Sequence, residues 1–136
     1  WGADGRYQLP SNGARPARST FFPPPEGFRY LVVQFQPDST PRPADLDEDA
    51  LRLELEERFP GRTEHMEPDH PGMHTTQTVD IGIVLSGELW LELDDGKEVR
   101  LGPGDMVVQN GTRHAWHNKS DRTCTAAFVL IGADKT

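Results

Sequence analysis

The fold of this chain is decided by two stretches: GMHTTQTVDIGIVLSG at residues 72–87 and GDMVVQNGTRHAWHN at residues 104–118. Each combines a short apolar run with turn-forming glycines and at least one histidine. Between them, Leu89, Leu91 and Leu93 alternate with polar or aromatic residues. A period of two is typical of a half-buried strand. The middle of the chain is therefore predicted to be β-structure.

Turn residues separate the apolar runs at short, regular intervals. Asp95-Gly96 is a strong hairpin signal, because both residues tolerate a positive φ. Asn110-Gly111 has the same chemistry. Short strands at regular spacing with such turns favour a sandwich or a barrel. The predicted strands are 81–85, 89–94, 99–101, 106–108 and 123–131.

Residues 1–62 are predicted to form an N-terminal arm, one strand and one short helix, which pack on a barrel core of residues 63–136. Proline and glycine punctuate the arm, and the pair Phe21-Phe22 has the character of an anchor on another surface. The run FRYLVVQFQ at 28–36 is rich in β-branched and aromatic residues, so it is predicted to be the strand.

Asp45 is predicted to cap the N-terminus of the helix, because it has the spacing of a capping box with Glu48. Its leucines fall on one broad face, so we expect that face to be buried. Pro60 and Gly61 end the helix.

Composition limits the partners and the compartment. The 136 residues suit one domain, and the net charge of −8 opposes binding to nucleic-acid phosphates or to an anionic membrane surface. No apolar run approaches the ~20 residues of a membrane span. Cys124 is the only cysteine, so no internal disulfide can form. We expect a cytoplasmic protein in which this thiol is buried and inert.

The two stretches resemble, in order, the two motifs of the small single-domain cupins. The motif positions are His74, Thr76, Asp80 and Gly87 in the first stretch, and Gly104, Gly111, His114 and Asn118 in the second. The resemblance implies an all-β fold, the double-stranded β-helix or jelly-roll barrel, with the arm and the short helix added to it. It also implies a pocket around His74, Asp80 and His114. We expect its other polar and aromatic lining to include Thr76, Thr78, Gln109 and Trp116.

The chain departs from the cupin pattern where metal would bind. Thr76 stands at the position of the second histidine, and Asp80 replaces the usual glutamate. The retained ligand set, His74, Asp80 and His114, has the count of a non-haem iron or catalytic zinc site. Two alternatives stay open: a divalent metal (Fe, Mn, Zn or Ni), or a hydrogen-bonded polar patch without metal.

A metal site shared by His74 and Asp80 sets a condition on the path of the chain. In one straight strand, His74 and Asp80 would lie about 20 Å apart, at roughly 3.3 Å per residue. The two side chains meet only if the chain bends near Thr76-Gln77-Thr78.

Two classes of function remain open at this point. The first is an enzyme acting on a small organic molecule, with His114 or His74 as general base and Asp80 orienting it or binding metal. The resemblance implies oxygenase, isomerase, dehydratase or cyclase chemistry. The second is a non-catalytic module that binds or senses a small ligand. A structural, storage-like role is a weaker third. A homodimer is also expected, because the Phe- and Pro-rich arm and the leading β-segment suit packing onto a neighbouring subunit, and cupins commonly pair in this way.

Overall fold

Eight strands form two antiparallel sheets in this computed structural model, which describes residues 1–135. One sheet has five strands in the order β1-β2-β8-β3-β6, and the other has three in the order β5-β4-β7. The strands are β1 (Gly2–Ala3), β2 (Phe28–Phe35), β3 (Thr78–Ser86), β4 (Leu89–Glu92), β5 (Glu98–Leu101), β6 (Met106–Asn110), β7 (Ala115–His117) and β8 (Cys124–Gly132). The predicted all-β double-sheet barrel, with an arm and one short helix, is confirmed.

Strand β2 is an integral part of the larger sheet. It pairs with β8 along its whole length, from Phe28 opposite Ile131 to Phe35 opposite Cys124. The segment before residue 63 therefore supplies a barrel strand as well as the arm and the helix. The far end of the predicted 63–136 core, Thr136, lies outside the described residues.

Alternation along the strands separates an inner face from an outer one. In β3 the buried residues are Thr78, Asp80, Gly82 and Val84, while the residues between them are partly exposed. Because successive side chains of a strand point to opposite faces, this register aims Asp80 into the barrel.

The apolar core closes one end of the barrel. It is built around a buried cluster of Val84, Leu89, Leu91, Leu101 and Cys124. Burial raises the pKa of the Cys124 thiol, so the expected inert cysteine agrees with its place in the core.

The Asp95-Gly96 hairpin is confirmed. Both residues have positive φ, 62° and 67°, and β4 and β5 pair directly across the turn. Gly87, Gly104 and Gly111 also have positive φ, which explains why glycine occupies these turns.

Helix α1 (Glu48–Arg58) begins two residues later than predicted. The side chain of Asp47, and not that of Asp45, accepts hydrogen bonds from the backbone N–H groups of Asp49 and Ala50. The expected burial of its leucine face was wrong, since no residue of the helix is buried and Leu53 is exposed. Within residues 1–135, no helix is both long enough and apolar enough to cross a membrane.

A buried arginine on β2 ties the arm to the barrel. The side chain of Arg29 is completely buried. Its guanidinium donates to the carbonyl oxygens of Ala3 and Thr20, both at 2.8 Å, and to the carboxylate of Asp4. The arm therefore packs on its own barrel through polar contacts to its backbone.

Candidate functional site

A cavity of about 140 Å³ opens at the end of the barrel away from the core cluster. Its wall is mostly apolar and aromatic, from inward-facing residues of β2, β6 and β8. Its polar lining consists of Arg62, His74, Asp80, Gln109 and His114.

The two cupin-like motifs meet at His74 and His114. Their backbones form an isolated antiparallel bridge, with N···O distances of 2.9 and 3.0 Å in the two directions. The two imidazole rings lie 4.2 Å apart, centroid to centroid. The chain bends at Gln77, so His74 and Asp80 both face the cavity. A bend is therefore present in the stretch where the sequence required one.

Hydrogen bonds define the tautomer of both histidines. The Nδ1 atom of His74 lies 2.9 Å from the carbonyl oxygen of Gly72, and that of His114 lies 2.8 Å from the carbonyl oxygen of Thr112. A carbonyl oxygen only accepts, so each Nδ1 carries the proton and each Nε2 keeps its lone pair. Burial lowers the pKa of both imidazoles, which favours their neutral forms.

Asp80 is the unsatisfied group of the site. Its side chain is buried, and its Oδ1 atom has no hydrogen-bond partner within the part of the chain that the structure describes. Burial raises the pKa of this carboxyl group, although Thr78 and His74 oppose the shift. A buried oxygen without a partner is costly, so this atom is suited to accept a hydrogen bond from a bound molecule.

The three predicted metal ligands have suitable donor chemistry but are not arranged as a metal site. Two Nε2 lone pairs and a carboxylate match the donor types of a His₂-carboxylate centre. Among residues 1–135, however, no three His, Cys, Asp or Glu side chains are grouped so that they could hold one ion. His74, Asp80 and His114 as placed here therefore do not fit a three-ligand site, and the metal stays a prediction from sequence.

Thr76 and Thr78 do not line the cavity as predicted. Both are buried, and their hydroxyl groups lie 2.7 Å apart in a hydrogen bond to each other. This mutual pairing satisfies the two hydroxyls locally.

Gln109 and Trp116 do line the cavity. Gln109 is the register partner of Asp80 across the β3–β6 ladder. The Trp116 ring lies edge-on to His114 at 5.6 Å and to Phe128 at 5.5 Å. The Trp116 ring therefore lies on the inside of the barrel.

Sequence reasoning missed the cap over the cavity. The cap, as used below, consists of Phe21, Phe22, Arg62 and Met66, all of which line the cavity. The Phe22 ring stacks on His74 at 6.2 Å with an interplanar angle of 26°. The Phe21-Phe22 pair thus packs against another surface, and that surface is the mouth of the cavity. The Phe-Phe pair was the available signal, whereas nothing nearby in sequence singled out Arg62.

His117 lies outside the cavity, although it is only three residues from His114. Its Nε2 atom is 2.7 Å from a carboxylate oxygen of Glu92, and its Nδ1 atom is 3.5 Å from one of Asp38. His117 therefore belongs to a separate polar cluster on the barrel surface.

Comparison with known proteins identifies the family. The family model described as "Cupin domain" matches residues 60–131, more than half of the chain. The chain belongs to the cupin family. Both stretches that decide the fold lie inside the matched region.

This cupin is similar to several named proteins. Oryzines biosynthesis cluster protein J of Aspergillus oryzae is 44% identical over 69 residues, which are 48% of this chain and 38% of that protein. The cupin-domain-containing oxidoreductase virC of Hypocrea virens is 44% identical over 46 residues, 34% of this chain and 24% of that protein. The match therefore spans well under half the length of these relatives.

Among solved structures, a cupin-2 domain containing protein from Shewanella frigidimarina is 15% identical. It has a TM-score of 0.45, and the match covers 75% of this chain and 68% of that one.

Proposed function

We propose that this cupin is an enzyme that acts on a small organic molecule held in the barrel cavity. The observation that supports the proposal is the convergence of two neutral imidazoles and one unpartnered carboxylate oxygen on a mostly apolar cavity. Perturbed titratable groups in a largely apolar pocket are typical of active sites. The Hypocrea virens relative is named an oxidoreductase, which agrees with an enzymatic role.

The side chains assign roles within that proposal. His114 or His74 accepts a proton at Nε2, because Nδ1 is engaged with a carbonyl oxygen in both residues. Asp80 receives a hydrogen bond from the substrate at Oδ1 and so orients it.

Several reaction classes are compatible with these roles. Isomerisation, dehydration and cyclisation each need a proton moved at a defined carbon, which this set can do with its own atoms. Oxidation or oxygenation also needs an electron acceptor, which these side chains do not supply.

The test is product formation, measured together with metal content. The purified protein, before and after loading with Fe, Mn, Zn or Ni, is incubated with a panel of small ketones, hydroxy acids and enols. Products are then sought by mass spectrometry. We expect turnover of at least one class. The proposal fails if no member is converted under any metal condition while the protein remains folded.

A second candidate, a non-catalytic ligand-binding module, is favoured by one observation. Thr76 replaces a histidine and hydrogen-bonds to Thr78 instead of facing the cavity. Under this alternative the protein binds members of the same panel, seen by calorimetry, and leaves them unchanged. Detection of any product decides for the enzyme.

We also propose that the protein forms a homodimer through the outer face of the larger sheet. Large apolar side chains are exposed on four of its five strands, namely Tyr30, Val32, Leu85, Met106, Val108 and Ile131. A continuous apolar face of this kind is uncommon on a monomer and suits a self-complementary two-fold contact.

A charge placed on this face should separate the subunits. We expect Val108→Glu to weaken the dimer about 100-fold or more, because the two-fold axis buries the new charge twice. Val99→Glu is the matched control, since Val99 is also exposed but lies on β5 of the smaller sheet. Light scattering should give a mass near 15.2 kDa for Val108→Glu, and twice that mass for the wild type and for Val99→Glu. A wild-type mass near 15.2 kDa would contradict the dimer.

A further inference from the structure

The cap places one cationic side chain at the mouth of the cavity. Arg62 follows helix α1, and its backbone N–H donates to the carbonyl oxygen of Phe59 at 3.0 Å. The same segment is joined to the arm, because the backbone N–H of Phe21 donates to the carbonyl oxygen of Pro60 at 2.8 Å and the rings of Phe21 and Phe59 lie 5.4 Å apart. The position of Arg62 is thus set by the turn after helix α1 and by its contacts with the arm, and not by a barrel strand.

The guanidinium of Arg62 makes no hydrogen bond and no ion pair with any other described residue. It differs in this from Arg29, which donates to the carboxylate of Asp4 and to backbone carbonyl oxygens, and from Arg113, which binds the carboxylate of Glu67 through two contacts. Partial burial lowers the pKa of Arg62, and no neighbouring acid offsets the effect. A half-buried cation without a counter-ion is costly, so the position is suited to an anion that comes from outside the chain.

The rest of the cavity limits the charge of that anion. Both imidazoles are neutral in the tautomer described above, so Arg62 is the one cation on the lining among residues 1–135. The acidic side chain on the same lining is Asp80, so the described residues offer no second positive charge to a dianion. A single negative charge is therefore matched by the site, while a dianion is not.

The size and the wall of the cavity limit the body of the ligand. The cavity volume is about 140 Å³. An apolar cavity of about 150 Å³ accepts benzene, so the two volumes are similar. Phe22, Trp116 and Phe128 supply aromatic surface. A ring or short chain of about six carbons fills such a space.

We propose that the cavity takes a small organic monocarboxylate, whose carboxylate pairs with Arg62 while its apolar body lies against the aromatic wall. The inference rests on the proposed function of the same cavity, since it names the class of substrate. Arg62 is then a specificity-determining residue: its planar guanidinium can donate two parallel hydrogen bonds to a carboxylate.

The test compares acids with their neutral amides. Benzoate, phenylacetate and hexanoate are titrated by calorimetry against benzamide, phenylacetamide and hexanamide, using wild-type protein, Arg62→Gln and Arg62→Lys. We expect at least one acid to bind the wild type about 10- to 100-fold more tightly than its amide. Arg62→Gln should remove that preference by weakening the acid alone, and Arg62→Lys should restore part of it. Arg52→Gln, which changes an exposed arginine of α1, should leave all affinities unchanged.

Three results would overturn the assignment. In the first, no acid binds the folded wild type better than its amide. In the second, Arg62→Gln weakens acid and amide equally, which would assign Arg62 to the structure of the cap. In the third, phenyl phosphate binds more tightly than every carboxylate, so that the anion belongs to another class. Because binding is the readout, this test can fail while turnover is observed, and it can succeed for a protein without turnover.

Discussion

Arg29→Ala is expected to lower the free energy of unfolding by about 3–5 kcal/mol, the usual cost of breaking a buried ion pair by removing one partner. The mutation removes a fully buried guanidinium. It leaves the carbonyl oxygens of Ala3, Phe28 and Thr20 without the guanidinium that donates to them, and it leaves the carboxylate of Asp4 with only its hydrogen bonds from Ser19. Urea denaturation measures the loss.

Two controls separate the polar contacts of Arg29 from its packing. Arg29→Met keeps most of the aliphatic stem, so it should recover only the packing part of the loss. Arg52→Ala removes an exposed ion pair with Asp49 and should change stability by less than about 1 kcal/mol. If Arg29→Ala is as mild as Arg52→Ala, the arm is not held through this side chain.

The ion pair also has a pH signature. Burial alone would raise the pKa of Asp4, but hydrogen bonds from Ser19 and Arg29 outweigh it and hold the pKa below its ordinary value. A depressed pKa contributes stability above the unfolded-state pKa, and that contribution is lost as the pH falls through the folded-state pKa. The difference in stability between wild type and Asp4→Asn should therefore shrink in acid.

His114→Ala is expected to lower kcat/KM by ~10²–10⁴-fold for any substrate found in the panel, the usual contribution of a general base. His114 is 2% exposed, faces the cavity and carries a free Nε2 lone pair. The backbone bridge to His74 does not use the side chain, so it should persist.

His117→Ala is the matched control for this mutation. It removes the same side chain three residues further along, but His117 contacts Glu92 and Asp38 outside the cavity. Steady-state kinetics should place it within about twofold of wild type, as for a surface substitution away from the site. Equal losses in both variants would show that the effect is structural and that His114 is not the base.

The barrel strands were predictable because their signals are local. Alternation along Leu89–Glu92 and the Asp95-Gly96 pair both act within a few residues, and each determined a strand or a turn that the structure contains. The N-cap of the helix is Asp47 and not Asp45, because several acidic residues in this stretch compete for that role. Exposure of the helix depends on what packs against it, and spacing alone does not contain that information.

The candidate site was only partly predictable. His74, Asp80 and His114 were found because two motifs in order imply where a cupin barrel brings them. Thr76 and Thr78 were misplaced, since a hydrogen bond between their hydroxyls depends on the bend at Gln77.

By itself, the sequence determined the strands and their turns, because strand period and turn chemistry act over short distances. The barrel and the three polar residues that face its interior were implied by the resemblance of its two motifs to those of cupins. Only the tertiary structure decided that the arm returns over its own barrel, that Phe22 stacks on His74, and that Arg62 reaches the cavity without a partner. These contacts join residues more than ten positions apart. They arise when strand pairing and the Arg29 contacts bring the arm to the barrel mouth, a step that no local pattern encodes.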